Sequence, residues 1–138
     1  MNYDPNNLFA KLLRGEIPCH KVYEDEHTLA FMDVMPQTEG HTLVLPKAPS
    51  RNLLDADTET LSHVMGVVQK IARAVKTAFN ADGVQIKQFN EPAAGQSVFH
   101  LHVHVIPMRE GGEIRAHSGK MADPAALARH AEMIKAAL

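Results

Sequence analysis

Three histidines alternate with apolar residues in the segment Phe99-His-Leu-His-Val-His-Val-Ile106. Side chains in an extended strand repeat every second residue, so His100, His102 and His104 are expected on one face and the apolar side chains on the other. An imidazole titrates near neutral pH and can act as a nucleophile, an acid–base catalyst or a metal ligand. Folding alone does not require three such groups side by side. The segment therefore indicates either a catalytic imidazole cluster or a metal site.

Two further features favour phosphorus chemistry over metal binding. The turn Gly95-Gln96-Ser97 directly precedes the histidines. A glycine there lets backbone N–H groups approach an anion closely, and a serine hydroxyl can donate another hydrogen bond. Asp33 ends a predicted strand, where its carboxylate could accept two hydrogen bonds from a sugar diol. Each feature also occurs in ordinary turns and strand ends, so the argument rests on their combination.

The metal alternative starts from the His-x-His spacing, which can ligate zinc with His41 as a further ligand. Alternate residues on one strand stand about 7 Å apart, so three consecutive members converge poorly on one ion. The chain has a single cysteine, Cys19, and therefore has no cysteine pair for a structural zinc site or an intramolecular disulfide. The strand geometry and the single cysteine both weigh against a metal site.

The bulk composition excludes several classes of protein. The chain has 138 residues, of which 45% are hydrophobic and 22% charged, with a net charge of −2. This length predicts one domain over residues 1–138. The balanced charge argues against a nucleic-acid partner, and no apolar run is long enough for a membrane span. The N-terminus does not resemble a signal peptide, and the cysteine usage fits a reducing compartment, so we expect a cytoplasmic protein.

Local patterns predict helices and strands that must position these residues. The predicted helices cover residues 6–14, 57–80 and about 124–137, and the predicted strands cover residues 22–23, 28–32, 42–45, 83–90 and 98–106. The helix over 57–80 is the clearest, because its apolar residues recur at steps of three and four. This order predicts an α+β fold, with a mainly antiparallel sheet and helices on one face. Residues 109–122 are polar and contain glycine, which predicts a mobile lid or a tail that crosses the site.

The histidine segment resembles the His-φ-His-φ-His-φ-φ pattern (φ, apolar) of the histidine triad, or HIT, superfamily, and Gly95-Gln-Ser-Val98 stands at the family's spacing. The N-terminal half resembles the Hint-type branch, the nucleotide phosphoramidases, through the segments Leu8–Pro18, Tyr23–Asp25, Leu29–Asp33, Pro36-Gln37 and Gly40–Pro46. The resemblance implies a HIT-like five-stranded sheet with one long and several short helices. It also implies a homodimer whose two sheets join across the interface. Here a C-terminal extension would begin at about residue 109.

The resemblance also implies a role for each matching residue. His102 would attack the α-phosphorus of a purine nucleotide, His104 would contact the phosphate, and His100 would support the nucleophile. His41 matches a fourth histidine that adjoins the triad. Asp33 would bind the ribose hydroxyls, while the base would lie between Ile17, Phe31 and Val34. The phosphate and leaving group would be lined by Asn90, Gly95, Gln96 and Ser97.

These roles imply a covalent nucleotidyl-histidine that water then hydrolyses. A nucleophilic imidazole must donate its other nitrogen's proton to a fixed acceptor, which the family supplies from the backbone carbonyl of the first histidine, here His100. Ser97 and a protonated His104 are the expected donors to the phosphoryl oxygens. This scheme needs no metal and no cofactor. Three other functions remain open at this stage: a Fhit-type diadenosine polyphosphate hydrolase, a nucleotide-binding regulatory protein with incidental hydrolysis, and a metal-binding protein.

The chain departs from its relatives at two places. Many bacterial relatives carry a Cys-x-x-Cys pair that helps to bind zinc, whereas the matching stretch here is Asn7-Leu-Phe-Ala10. We therefore expect no zinc site. The chain also lacks tryptophan, which eukaryotic Hint proteins carry in a tail near the active site. We expect the remaining histidines to be surface or incidental residues: His20, His27, His63, His117 and His130.

Overall fold

The computed structural model describes residues 2–116 and 120–138, so His117 lies outside the described residues. The helices are α1 (Leu8–Leu13), α2 (Thr58–Ala78) and α3 (Pro124–Ala137), with a short 3₁₀ turn at Pro92–Ala94. The strands are β1 (Lys21–Glu24), β2 (Thr28–Met32), β3 (Thr42–Pro46), β4 (Gly83–Lys87) and β5 (Val103–Met108). Every predicted helix and strand is present. They form the expected α+β fold, with a five-stranded antiparallel sheet in the order β1-β2-β3-β5-β4.

The long helix α2 begins directly after an N-cap residue, Asp57. The Asp57 side chain accepts a hydrogen bond from the backbone N–H of Thr60, which satisfies one of the unpaired donors of the first turn. The apolar stripe of α2 is buried against the sheet, together with α3. This core contains, among others, Met32, Val44, Val64, Val68, Ile71, Val75, Val103, Val105 and Ile134. The helices therefore cover one face of the sheet.

The opposite face of the sheet carries a smaller apolar cluster beside α1. Phe9 of α1 packs there with Phe31 of β2 and Leu43 of β3. In the sheet, Phe31 pairs with Leu43 and Leu43 pairs with His104, and directly opposed residues share a face. The register thus places His104 on the face that α2 leaves uncovered, in the same row as the aromatic ring of Phe31.

The histidine segment does not form the continuous strand that its alternation predicts. The prediction of a strand over residues 98–106 was wrong in its first half, because β5 begins at Val103. The backbone N–H of Leu101 donates to Ser50 O at 2.9 Å instead of joining the strand ladder. As a result only His104 lies within β5, while His100 and His102 precede it in an irregular segment. The preceding strand is also shorter than predicted, since β4 ends at Lys87.

Two backbone N–H groups of the C-terminal extension donate to residues 34–37. The backbone N–H of Arg115 donates to Gln37 O and that of Ala122 donates to Val34 O, both at 2.8 Å. The backbone N–H of Gln37 in turn donates to His41, so the extension passes close to that histidine. Within residues 2–116 and 120–138, no helix is both long and apolar enough to cross a membrane.

Candidate active site

A backbone hydrogen bond fixes the tautomer of His102 that a nucleophile requires. Its ring is half-buried, and Nδ1 lies 2.6 Å from the backbone oxygen of His100. A carbonyl oxygen can only accept, so Nδ1 carries the proton and the lone pair lies on Nε2. The ring also meets the edge of Phe9, with centroids 4.8 Å apart. The backbone acceptor implied by the family resemblance is thus present in the structure.

His100 supports that carbonyl from inside the protein. The side chain is fully buried, with 0% of its surface exposed. Nε2 donates to Pro46 O at 2.7 Å, so Nδ1 carries the lone pair and accepts from the Tyr3 hydroxyl at 2.6 Å. Burial disfavours the charged ring and lowers the pKa of His100 from 6.5 to about 4, although the hydrogen bond to Pro46 opposes the shift. His100 is therefore neutral at physiological pH.

His41 and His104 form a second imidazole pair, and both are buried. The backbone N–H of Gln37 donates to His41 Nδ1 at 3.0 Å, so the proton of this ring lies on Nε2. His41 Nε2 donates in turn to His104 Nδ1 at 2.9 Å. His104 therefore keeps its own proton on Nε2 and is neutral, which differs from the expectation of a protonated His104. A neutral ring still donates one hydrogen bond through Nε2.

The Asp33 carboxylate is turned toward this imidazole pair. Only 4% of Asp33 is exposed, and Oδ1 accepts from the backbone N–H of Met35 at 2.9 Å. Oδ2 lies 3.4 Å from His41 Nε2 and 3.9 Å from His104 Nδ1. The resemblance assigns Asp33 to the ribose hydroxyls. In this conformation its carboxylate lies directly beside the two imidazoles.

Asp33, His41 and His104 could also hold a metal ion by geometry. Each offers one ligand atom, and the three atoms lie within 4.8 Å of one another. The donor set of two imidazoles and one carboxylate suits zinc. However, the hydrogen bond from His41 to His104 already uses the nitrogens that an ion would need, and binding would displace the shared proton. The absence of a metal stays a prediction.

The loop before the triad is built around the Gln96 side chain. Gln96 is 5% exposed, and its Oε1 accepts from Glu91 N at 2.8 Å and from Asn52 Nδ2 at 3.0 Å. Its Nε2 donates to Arg51 O at 2.7 Å and to Val98 O at 3.0 Å. The amide is therefore fully engaged within the protein. In this conformation only the backbone of Gln96 is available to line the phosphate.

Sequence reasoning missed the ion pair that fixes this loop. Arg51 donates to both carboxylate oxygens of Glu91, at 2.7 and 2.9 Å, and Asn52 adds a third hydrogen bond at 2.6 Å. The hydrogen bond from Arg51 lowers the pKa of Glu91. Glu91 adopts a φ of +75°, and Gly95 one of +100°. A positive φ is unfavourable for a non-glycine residue, so the ion pair holds the loop in a strained conformation.

The remaining predicted residues of the loop lie around this frame. Ser97 is exposed and directly follows Gln96. Asn90 is half-buried, and its Oδ1 accepts from Leu53 N at 3.0 Å and from Gln88 Nε2 at 2.9 Å. The Asn90 side chain is thus used to join the loop to residues 52–54. Ser97 and the backbone of residues 95–97 are the part of the loop that can meet a ligand.

The predicted apolar wall connects to the nucleophile through a residue that sequence reasoning did not single out. Phe31 is 4% exposed, and its ring packs edge-on against Phe9 at 5.6 Å, which itself contacts His102. Ile17 is half-buried, and Val34 is 39% exposed. Phe9 lies within the predicted helix over residues 6–14, but no sequence signal assigned it a role in the site. Its burial depends on the packing of α1 against β2, which the local pattern does not encode.

A groove of about 780 Å³ lies away from the histidine cluster, between the β1–β2 turn and α2. Its lining includes Asp25 and His63, whose Oδ2 and Nε2 atoms lie 3.0 Å apart. None of the triad histidines lines it. Volume alone does not identify a reactive site, and the histidine cluster remains the predicted one.

Comparison with known proteins identifies the family and agrees with the fold. The HIT domain family matches residues 14–111, so the chain belongs to the HIT family. A HIT-like protein of Bartonella henselae, described as involved in cell-cycle regulation, has 57% identity and a TM-score of 0.93, and the match covers 99% of this chain and 100% of that one. A hypothetical histidine triad nucleotide-binding protein of Sulfolobus tokodaii has 34% identity and a TM-score of 0.86, with 94% and 89% covered.

Two curated relatives are similar over most of this chain. Protein hit of Bacillus subtilis is 43% identical over 113 residues, which are 82% of this chain and 78% of that protein. An adenylylsulfatase of Arabidopsis thaliana is 34% identical over 120 residues, which cover 83% of this chain and 61% of that protein.

Proposed function

We propose that this protein cleaves purine nucleoside phosphoramidates at the α-phosphorus, with His102 as the covalent nucleophile. The observation that carries the proposal is the 2.6 Å hydrogen bond from His102 Nδ1 to the His100 carbonyl, because it leaves the lone pair on Nε2. The neutral, buried His100 keeps that carbonyl in place. The name of the Sulfolobus protein, which refers to nucleotide binding, and that of the Arabidopsis relative, an adenylylsulfatase, support nucleotide chemistry in this family.

The reaction would proceed in two displacements at phosphorus. In the first, His102 Nε2 forms a bond to the α-phosphorus, the P–N bond breaks, and the amine leaves with an added proton. In the second, water attacks the nucleotidyl-histidine, releases the nucleoside monophosphate and regenerates the neutral imidazole. Negative charge on the phosphoryl oxygens would be stabilised by His104 Nε2–H, Ser97 and the backbone N–H groups of residues 95–97. This scheme requires neither a metal nor a cofactor.

The nucleoside would lie over the apolar side of the site. Phe31, which lies two strands from His104, would form an aromatic wall of the base site. Ile17 and Val34 would form the rest of the apolar wall. These side chains would stack any purine and provide no obvious contact that distinguishes adenine from guanine. Asp33 would bind the ribose hydroxyls. This requires the carboxylate to exchange part of its contact with the imidazoles for the sugar.

The proposal includes a homodimer in which the sheets of two protomers join. The strand β4 lies at one edge of the sheet, and Ile86 on it is 44% exposed. An apolar side chain on an unpaired edge strand is favourable when another strand covers it. Sedimentation of the purified protein measures this directly. A monomer at micromolar concentration would contradict the dimer without bearing on the chemistry.

The test is hydrolysis of a fluorogenic adenosine 5′-phosphoramidate by the wild type and by His102→Ala, with a chelator present. Loss of one transition-state donor typically costs about 10²–10³ in rate, and loss of the nucleophile is expected to cost more. His27→Ala is the matched control, because His27 is an exposed histidine outside the site. Hydrolysis by His102→Ala at the wild-type rate would contradict the proposal.

One observation favours a second candidate, a diadenosine polyphosphate hydrolase. Lys87 on β4 pairs with His104 in the sheet, so the two residues share a face. An ammonium group beside the phosphate-binding imidazole would favour a longer, more anionic leaving group. Under this candidate, Lys87→Met lowers kcat/KM for a diadenosine polyphosphate and leaves that for the phosphoramidate unchanged. Tight nucleotide binding with negligible turnover of both substrates would instead indicate a regulatory protein.

A further inference from the structure

The N-terminal segment contacts the triad through the side chain of Tyr3. The Tyr3 O–H donates to His100 Nδ1 at 2.6 Å, across 97 residues of sequence. The direction of this bond is fixed, because the other nitrogen of His100 donates to the Pro46 carbonyl and leaves Nδ1 with the lone pair. The two rings also meet edge-on, with centroids 5.7 Å apart. Tyr3 thus completes the hydrogen bonding of a fully buried imidazole.

The segment around Tyr3 is itself held in place on both sides. Arg51 Nη1 donates to the backbone oxygen of Asn2 at 3.3 Å. On the other side, Asp4 Oδ1 accepts from Asn6 N, and Asp4 O accepts from Asn7 Nδ2, both at 2.8 Å. Asn7 is also the N-cap of α1, which carries Phe9 against His102. The position of the Tyr3 hydroxyl is therefore linked to the same frame that surrounds the nucleophile.

The hydrogen bonds form one chain that leads to the nucleophile. The Tyr3 hydroxyl and the Pro46 carbonyl hold the His100 ring at both nitrogens, so the ring cannot rotate or change tautomer without losing a partner. The backbone carbonyl of the same residue accepts the Nδ1 proton of His102. Without the hydroxyl, Nδ1 of a buried ring lacks a donor, and the ring gains freedom to rearrange.

We propose that Tyr3 is a positioning residue for His102: its hydroxyl orients His100, and the carbonyl of His100 then fixes the tautomer of the nucleophile. The catalytic consequence rests on the function proposed above, whereas the effect on the two imidazoles does not. Tyr3 touches no substrate in this account. It acts through the ring of His100.

The variant Tyr3→Phe removes the hydroxyl and keeps the aromatic ring. Its matched control is Tyr23→Phe, which removes the other tyrosine hydroxyl of the chain, a donor to Asp25 Oδ2 at 2.8 Å outside the site. We expect kcat for the phosphoramidate to fall about tenfold in Tyr3→Phe, with KM changed less than twofold, and both values to stay unchanged in Tyr23→Phe. A variant that is less stable but keeps the wild-type kcat per folded molecule would overturn the proposal.

Nitrogen NMR of the histidine rings gives a readout that does not need a substrate. In the wild type, we expect the proton of His102 on Nδ1 and that of His100 on Nε2. In Tyr3→Phe, we expect a shift of the His100 Nδ1 resonance and at least a fivefold faster exchange of the His102 Nδ1 proton with water. Unchanged shift and exchange would overturn the proposal.

The two arms separate the failure of this inference from the failure of the proposed function. A wild type without phosphoramidase activity whose His102 proton still responds to Tyr3→Phe would refute the proposed function and leave the positioning role intact. If Tyr3→Phe does not fold, the wild-type spectrum decides the matter. A Tyr3 hydroxyl proton without the low-field shift of a hydrogen-bonded proton would then overturn the proposal.

Discussion

Mild acid should destabilise this protein through His100. Burial lowers the pKa of His100 to about 4, whereas a histidine in the unfolded chain titrates near 6.5. Between these two pH values the unfolded chain binds a proton that the folded protein does not. The contribution of His100 to stability is therefore complete above about pH 6.5 and decreases as the pH falls toward 4.

The size of the effect follows from the two pKa values. At pH 5 the histidine of the unfolded chain is almost fully protonated, while the folded one remains mostly neutral. The free energy of unfolding should then be about 2 kcal/mol lower than at pH 8. Below the folded pKa the loss reaches a ceiling of about 3 kcal/mol, because a pKa difference of one unit corresponds to about 1.36 kcal/mol.

Urea unfolding at pH 8 and at pH 5 measures this loss. Other groups also titrate in this range, so the relevant quantity is the difference between the wild type and His100→Gln. The variant should be less stable at pH 8, because Tyr3 and Pro46 lose their shared partner, but its loss on acidification should be smaller by about 2 kcal/mol. His27→Gln, at an exposed position, should behave as the wild type. An equal loss in the wild type and His100→Gln would refute the reasoning.

Two further substitutions test the frame of the site. Gly40 has a φ of +92°, and a Cβ there would lie 2.6 Å from the ring of Phe79, so Gly40→Ala should lower the free energy of unfolding by about 2–4 kcal/mol. Gly15→Ala is the control in urea unfolding, because Gly15 also has a positive φ, +79°, but a Cβ added there would meet no other group within 4 Å. An equal loss in the free energy of unfolding for the two variants would contradict the steric argument. Gln96→Ala removes four hydrogen bonds from the loop that precedes the triad. The dissociation constant for a nucleotide, measured by calorimetry, should rise at least tenfold, and the backbone amide of Glu91 should exchange faster with water. Gln85→Ala, at an exposed position of β4, should leave both quantities at wild-type values.

Short-range patterns were sufficient to predict the helices and strands. The apolar steps of α2 and the cap at Asp57 lie within a few residues of one another, so the sequence encodes them directly. The strands β2 and β3 were likewise predicted to within one residue. The main exception is the histidine segment. The alternation over residues 98–106 predicts one strand, but His100 and Leu101 are hydrogen-bonded to Pro46 and Ser50 and are drawn out of the ladder.

The types of the reactive residues were also evident from the sequence. Three alternating histidines after a glycine turn, with the family resemblance, were enough to predict His102 as the nucleophile and His104 as its neighbour. The sequence did not indicate the charge of these rings. The neutral state of His104 depends on the bond from Gln37 N to His41 Nδ1 and on the bond from His41 to His104, which spans 63 residues.

The sequence by itself therefore determined the order of helices and strands, the family and the residues proposed to carry the chemistry, because each depends on residue type and short spacing. Only the tertiary structure decided which atom of each side chain carries a proton and which group it meets. Tyr3 and His100 are 97 residues apart, and Arg51 and Glu91 are 40 residues apart. Contacts over such separations depend on the path of the whole chain, which the local periodicity of the sequence does not predict.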